Sequence, residues 1–237
     1  KNTYGTGCFL LMNTGANMTL SKKGLLTTVA ATTDDGIQYV LEGSVFAAGA
    51  AIQWLKEGLC LFEDSKETES MSLSVEDTNG VYVVPAFAGL GAPHWDPYAR
   101  GTIVGITRGC TKEHLVRATL ESIAYQTKDI LDVMLDESGV TLEGLLVDGG
   151  VTKNKFLMQF QSDIMGVPVI RPDNAEATAQ GAAYLAGLTI GFWKDQEQLR
   201  SLQGRLLRYE PQMDPETKAK LLHDWKRALE RAKGWIE

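Results

Sequence analysis

The sequence predicts an α/β architecture, a mixed sheet with helices on its faces. Two observations carry this. The first forty or so residues hold apolar runs separated by turn-rich segments, the pattern of antiparallel strands. From Ser44 onward, stretches of helical period alternate with short buried runs. A composition of 44% hydrophobic and 22% charged residues supports a sizeable core, and no repeat or low-complexity linker divides the 237 residues, so one domain over 1–237 is expected.

"GCFLLMNTG" and "GLLTTVAAT" read as strands, and "DDG" (Asp34–Gly36) turns the chain into "IQYVLEG". Together they predict a three-stranded antiparallel meander. Val45, Ala48, Ile52 and Leu55 then recur at helical spacing, with Ser44 as the expected cap. Residues 63–74 form a polar, weakly patterned helix. "VYVV" is a strand that leads into the Gly-, Pro- and aromatic-rich "PAFAGLGAPHWDPYARG", and "TIVGITRG" is another strand. Thr111 caps a long helix whose core face is Val116, Leu120, Ile123, Ile130 and Met134. A buried strand "LEGLLVDGG" precedes a helix with Phe156, Phe160 and Ile164 on one side and Gly166 as its stop. After the short strand "VPVI" comes an uncharged helix of small residues, expected to be buried against the sheet. A charged amphipathic helix from Pro215, expected to be a solvated edge, closes the chain.

Composition narrows the function classes. A formal net charge of −7 argues against a nucleic-acid surface. Cys8, Cys60 and Cys110 are odd in number and far apart, with neither a disulfide framework nor a zinc spacing, which points to a reducing, cytoplasmic setting. The longest uncharged stretch, Ala177–Trp193, is too short and weakly apolar to predict a membrane span. No signal peptide is recognisable, and the opening on Lys1 leaves processing and truncation both open.

Four places invite a functional reading beside a plainer one. Thr6 stands between Gly5 and Gly7 at a hairpin entry, where backbone N–H groups and a hydroxyl can meet a phosphate. An ordinary tight turn is the plainer account. Gly49 and Gln53 share a helix face, and the glycine suggests close approach by a ligand or by packing. In "LVDGGVTKN" a buried strand ends on Gly149 and Gly150, with Asn154 in the first helical turn, the place where α/β sheets bind ligands and anions. It is neither the P-loop string nor the dinucleotide fingerprint. His94, Trp95, Asp96 and Arg100 lack a nucleophilic partner, and Pro93 and Pro97 stiffen them into a structural loop. His114 and His223 read as solvated, Phe9 as a core aromatic.

In order along the chain, "KNTYGTGCF", "LEGSVF", "AGAAIQWL", "VYVVPAFAGLGAPHWDPYARG", "ATLESIAYQT", "VDGG", "LMQFQSDI" and "GAAYLAG" resemble the carboxy-terminal half of the FGGY carbohydrate kinases. A family signature appears as Gly101-x-Ile103-x-Gly105-Ile106, seven residues, then His114-Leu115-x-x-Ala118-Thr119-Leu120-Glu121. Ala88, His94 and the run Val151–Lys153 depart from the pattern without opposing it.

The resemblance implies an actin-like, ribonuclease-H-like ATPase domain, one of two that close on a cleft, with ATP as co-substrate and magnesium on its phosphates. It implies phosphorylation of glycerol, the alternative being xylulose, ribulose or gluconate. Thr6 would meet the phosphates, Gly49 and Gln53 the adenosine side, and Gly150 and Asn154 the opposite edge. Phe9 would pack on the glycerol carbons. The catalytic base and the facing phosphate loop would lie in an amino-terminal domain absent from this chain, so no catalytic residue and no metal ligand are placed here. The isolated chain would then act only as a nucleotide-binding module. Oligomerisation with further copies is expected from the family.

Overall fold

A computed structural model describes residues 1–31, 36–173, 176–202 and 204–237. Strands β1 (Asn2–Tyr4) and β2 (Cys8–Gly15) pair antiparallel around the Gly5–Gly7 turn, with Tyr4 opposite Cys8. The sequence pattern did not give β1 as a strand. Strands β3 (Leu26–Val29) and β4 (Tyr39–Val45) follow. They do not form the consecutive meander predicted for this stretch, because β4 lies between β2 and β3. Burial explains the order. Leu41, Gly43 and Val45 of β4 face the core, whereas β3 exposes Leu26, Thr28 and Val29, so it takes the edge. Asp34 and Asp35 of the predicted turn lie outside the described residues.

Helix α1 (Gly49–Glu57) starts later than predicted, and Ser44 and Val45 belong to β4. No side chain caps it. Its first N–H groups reach carbonyls of the hairpin instead: Ala48 N and Ala50 N donate to Thr6 O (2.9 and 3.0 Å), and Gly49 N to Gly5 O (3.0 Å). Helix α2 (Glu67–Leu73) falls in the predicted polar stretch. Strands β5 (Tyr82–Val84) and β6 (Thr102–Val104) make a separate two-stranded sheet. The loop between them is held from within and from the chain's end. Asp96 Oδ1 accepts from Tyr98 N and Ala99 N, and Asp96 Oδ2 accepts from Gly234 N. His94 meets Asp129 of the long helix that follows, a further tie between this loop and the fold.

Helix α3 (Lys112–Ser138) runs between two sharp signals. Thr111 forms a capping box in which its N–H donates to His114 Nδ1 (3.1 Å), and Gly139 ends the helix at φ 66°. His114 is thus a capping group rather than a solvated side chain. All five predicted core residues of this helix are buried. Strand β7 (Leu145–Asp148) lies parallel to β1 and leads through a 3₁₀ turn, Gly150–Lys153, into α4 (Lys155–Met165), which stops at Gly166 with φ 75°. Strand β8 (Val169–Pro172), helices α5 (Ala177–Thr189) and α6 (Gln196–Ser201), strand β9 (Leu206–Tyr209) and helix α7 (Pro215–Ala232) complete the chain. The main sheet runs β3-β4-β2-β1-β7-β8-β9, with β1-β7-β8 parallel and the other pairs antiparallel.

Two expectations are corrected. Helix α5 does not bury itself on the sheet: among its residues only Gly187 is buried. There Trp193 folds back so closely that a Cβ would sit 2.1 Å from its ring, and Tyr184 meets the same ring edge-on. Helix α7 is not a solvated edge. It buries Trp225, Ala228, Leu229 and Ala232, and Trp225 stacks on Tyr125 at 5.1 Å. Among the described residues, no helix is long and apolar enough to cross a membrane.

Candidate nucleotide cleft

The β1–β2 turn, the start of α1 and the turn after β7 meet at one place, and glycines let them do so. A Cβ on Gly49 would lie 2.6 Å from Gly5 O, and one on Gly149 (φ 94°) would lie 2.2 Å from Tyr4 O. Gly150 differs from its neighbour, because a Cβ there would meet nothing within 4 Å. Gly149 therefore serves the backbone packing, and Gly150 borders open space. Beneath them Tyr4 is fully buried and its hydroxyl donates to Gln161 Oε1 (2.7 Å), tying β1 to α4. Burial pushes the Tyr4 phenol far above its ordinary range, so it stays a donor.

Two adjoining cavities open on these elements. One, of about 400 Å³, is lined by Gly5, Thr6, Gly49, Gln53, Lys56 and Gly150 among others. The second, of about 650 Å³, is lined by Gly49, Ser65, Thr68, Glu69, Gly150 and Asn154 among others. Both lie within the size range of small-molecule sites. Gly49 and Gly150 border both, so the two spaces form one cleft along the carboxyl ends of β1 and β7.

Each predicted position has a definite state. Thr6 is exposed, its carbonyl is taken by α1, and its hydroxyl has no partner among the described residues. Gln53 donates from Nε2 to both carboxylate oxygens of Glu57 (3.0 and 3.1 Å), on a side chain that borders the first cavity. Asn154 is the cap of α4: its Oδ1 accepts from Leu157 N (2.9 Å), and its Nδ2 donates to Thr68 Oγ1 (3.1 Å). Phe9 lines neither cavity. It is 52% exposed on the outer face of β2, which corrects its reading as a core aromatic. In a strand whose pattern alternates, Cys8, Leu10 and Met12 face inward and Phe9 must face out.

The sequence missed the α2 wall. Ser65, Thr68 and Glu69 line the cleft, and Glu69 Oε2 accepts from Lys155 N (2.7 Å) at the start of α4. The available signal was slight: Thr68 and Ser72, which the structure buries, are two hydroxyl residues four apart in a polar stretch. At the rim, Asp64 is held below the usual carboxylate range, first by the Lys66 N–H it accepts. The first N–H groups of α1 and of α4 are taken within the fold, so what the cleft offers a phosphorylated ligand is the Thr6 hydroxyl and the open backbone at Gly150.

Comparison with known proteins agrees with this geometry. Residues 1–190 match the carboxy-terminal domain of the FGGY family of carbohydrate kinases. The chain is 61% identical over 239 residues to glycerol kinase of Pseudothermotoga lettingae, and 59% identical over 237 residues to that of Nitratidesulfovibrio vulgaris. All of this chain and 48% of each relative are covered, so the chain spans about half the length of the curated relatives it matches. The crystal structure of Plasmodium falciparum glycerol kinase with ADP superposes with a TM-score of 0.90 at 39% identity, over all of this chain and 47% of that one. A ligand-bound xylulose kinase from Lactobacillus acidophilus superposes at 0.80 with 21% identity, over 97% of this chain and 46% of that one, which shows the shared fold alone. From turn geometry to relatives, these findings converge: the chain belongs to the FGGY family of carbohydrate kinases and has the actin-like, ribonuclease-H-like fold of its carboxy-terminal domain.

Proposed function

We propose that residues 1–237 are a single domain, one half of an enzyme that transfers the γ-phosphoryl group of ATP to glycerol, giving glycerol 3-phosphate and ADP. The observation that carries this is convergence. Thr6, Gly49, Gln53 and Gly150, from three separate segments, border one cavity, and Asn154 borders the space that adjoins it. Phosphoryl transfer asks mainly for alignment and charge stabilisation, plus a group to accept the hydroxyl proton. In this reading the Thr6 hydroxyl donates to the phosphates. Gly150 lets the nucleotide approach, and Gln53 and Asn154 flank the adenosine.

The facing phosphate loop and the proton acceptor come from the amino-terminal domain, and no residue of this chain takes that proton. Phe9, pointing out of β2, packs on the glycerol carbons. The uncovered apolar side of α5 meets the same partner domain. Magnesium travels with the nucleotide phosphates, whose developing charge it offsets. The enzyme works in the cytoplasm and associates with further copies of itself.

A coupled assay on the full-length protein with glycerol, xylulose, ribulose and gluconate tests the substrate. Glycerol should give the highest kcat/KM, and a preferred pentulose or gluconate would make the chain part of a sister kinase. The isolated domain should bind ATP without turnover. Glycerol phosphorylation by this chain unaided would contradict the division of labour.

A further inference from the structure

Asn154 cannot serve a ligand freely, because much of its hydrogen-bonding capacity is already committed. A side-chain amide offers two N–H donors and an oxygen with two lone pairs. Here Leu157 N occupies one lone pair and Thr68 Oγ1 takes one N–H. One N–H and one lone pair remain, on a side chain that borders the cleft.

Thr68 is itself fixed. It is 2% exposed, and its hydroxyl donates to Ser65 O (2.6 Å), which leaves its oxygen to accept from Asn154. Its helix is anchored from two sides. Glu69 holds the Lys155 N–H at the cleft end, and Arg117 Nη1 donates to Ser72 O (3.3 Å) and Val75 O (2.5 Å) at the far end.

We infer that Thr68 is a positioning residue for nucleotide recognition, locking the Asn154 amide in one orientation so that its remaining donor and acceptor meet the base. A paired donor and acceptor complements the amine and ring nitrogen of adenine, whereas guanine offers two acceptors on the corresponding edge. The inference rests on the reading of the cleft as an ATP site and adds the residue that gives that site its base preference.

The test uses the full-length enzyme with Thr68→Val, Thr68→Ser, Asn154→Ala and the double variant Thr68→Val/Asn154→Ala. Valine keeps the shape and removes the hydroxyl. Losing the hydrogen bond to Asn154, worth about 1 kcal/mol, should raise the KM for ATP about fivefold. The KM for glycerol should hold and the preference for ATP over GTP should shrink, while the melting temperature without nucleotide should fall, since Ser65 O also loses the donation from the hydroxyl. Thr68→Ser should recover both values, and Thr68→Val should add nothing in the Asn154→Ala background. If Asn154→Ala weakens ATP use while Thr68→Val does not, or if the two effects simply add, Thr68 does not act through Asn154. If neither variant changes the KM for ATP, the reading of the cleft itself is wrong.

Discussion

Helices α5 and α7 occupy opposite environments, each against its composition. Eight of the eighteen residues of α7 are charged, yet it buries Trp225 completely against Tyr125. Helix α5 has no charged residue, yet its apolar surface stays open, with Leu185 exposed and Ile190 and Phe192 more so just beyond it. What separates them is the arrangement of apolar groups and the surface at hand. In α7 the residues Trp225, Ala228, Leu229 and Ala232 recur at three and four, one stripe on a helix that packs against β5 and β6, with Trp225 stacked on Tyr125 of α3. In α5 small residues go all the way round, and Gly187 and Tyr184 pack on the segment's own Trp193. A charged helix with one good stripe completes this domain, while an uncharged helix stays exposed.

The largest expected effect breaks the α7 side of this contrast. Trp225→Ala should cost about 3–5 kcal/mol of stability, read by urea denaturation, because it empties the space against Tyr125 and also removes the donation from Trp225 Nε1 to Asp129 (2.8 Å). A loss within about 1 kcal/mol would return α7 to the surface role its charge suggests. Somewhat smaller is the split between adjacent glycines of the cleft. Gly149→Ala, forced to φ 94° and against Tyr4 O, should cost roughly 2–3 kcal/mol, whereas Gly150→Ala should leave folding nearly unchanged and weaken ATP binding. Equal stability losses would show that both glycines serve only the fold.

Beneath α7, Glu121 gives a pH signature. Burial pushes its carboxyl up to about 7, although Arg117 and Tyr125 hydrogen-bond to it and pull the other way. A raised folded value means the stability held by the protonated form is complete below about 4.5 and lost as pH rises through about 7. Denaturation curves between pH 5 and 8 should show this decline, and Glu121→Gln should flatten it. An identical slope in the variant would place the titrating group elsewhere. The smallest effect belongs to α5. Phe192→Ser should change the stability of this domain by about 0.5 kcal/mol or less. The same change should be clearly more harmful in the full-length protein if the amino-terminal domain covers that surface.

Much of this was legible in the residues. Thr111, the α3 core face and Gly166 are local signals, set by capping and period within a few positions, and they mark the start of α3 and the end of α4 correctly. The start of α1 was not legible, because its cap is the carbonyls of Gly5 and Thr6, more than forty residues away. No spacing near Ser44 encodes that. The order β3-β4-β2 depended on which strand had a face to bury, and the α2 wall carried only Thr68 and Ser72 as signals in a polar stretch. Composition misplaced α5 and α7 for the same reason: it describes a helix and not the surface that receives it.

The most direct measurement of the central claim is the kinetics of Thr6→Ala in the full-length enzyme, because Thr6 is exposed and its hydroxyl has no partner among the described residues. Removing a hydrogen bond to a charged phosphate should lower kcat/KM for ATP about 10- to 100-fold, with the melting temperature of the nucleotide-free protein unchanged. ATP kinetics equal to those of the parent enzyme would show that the Gly5–Gly7 turn does not face the nucleotide.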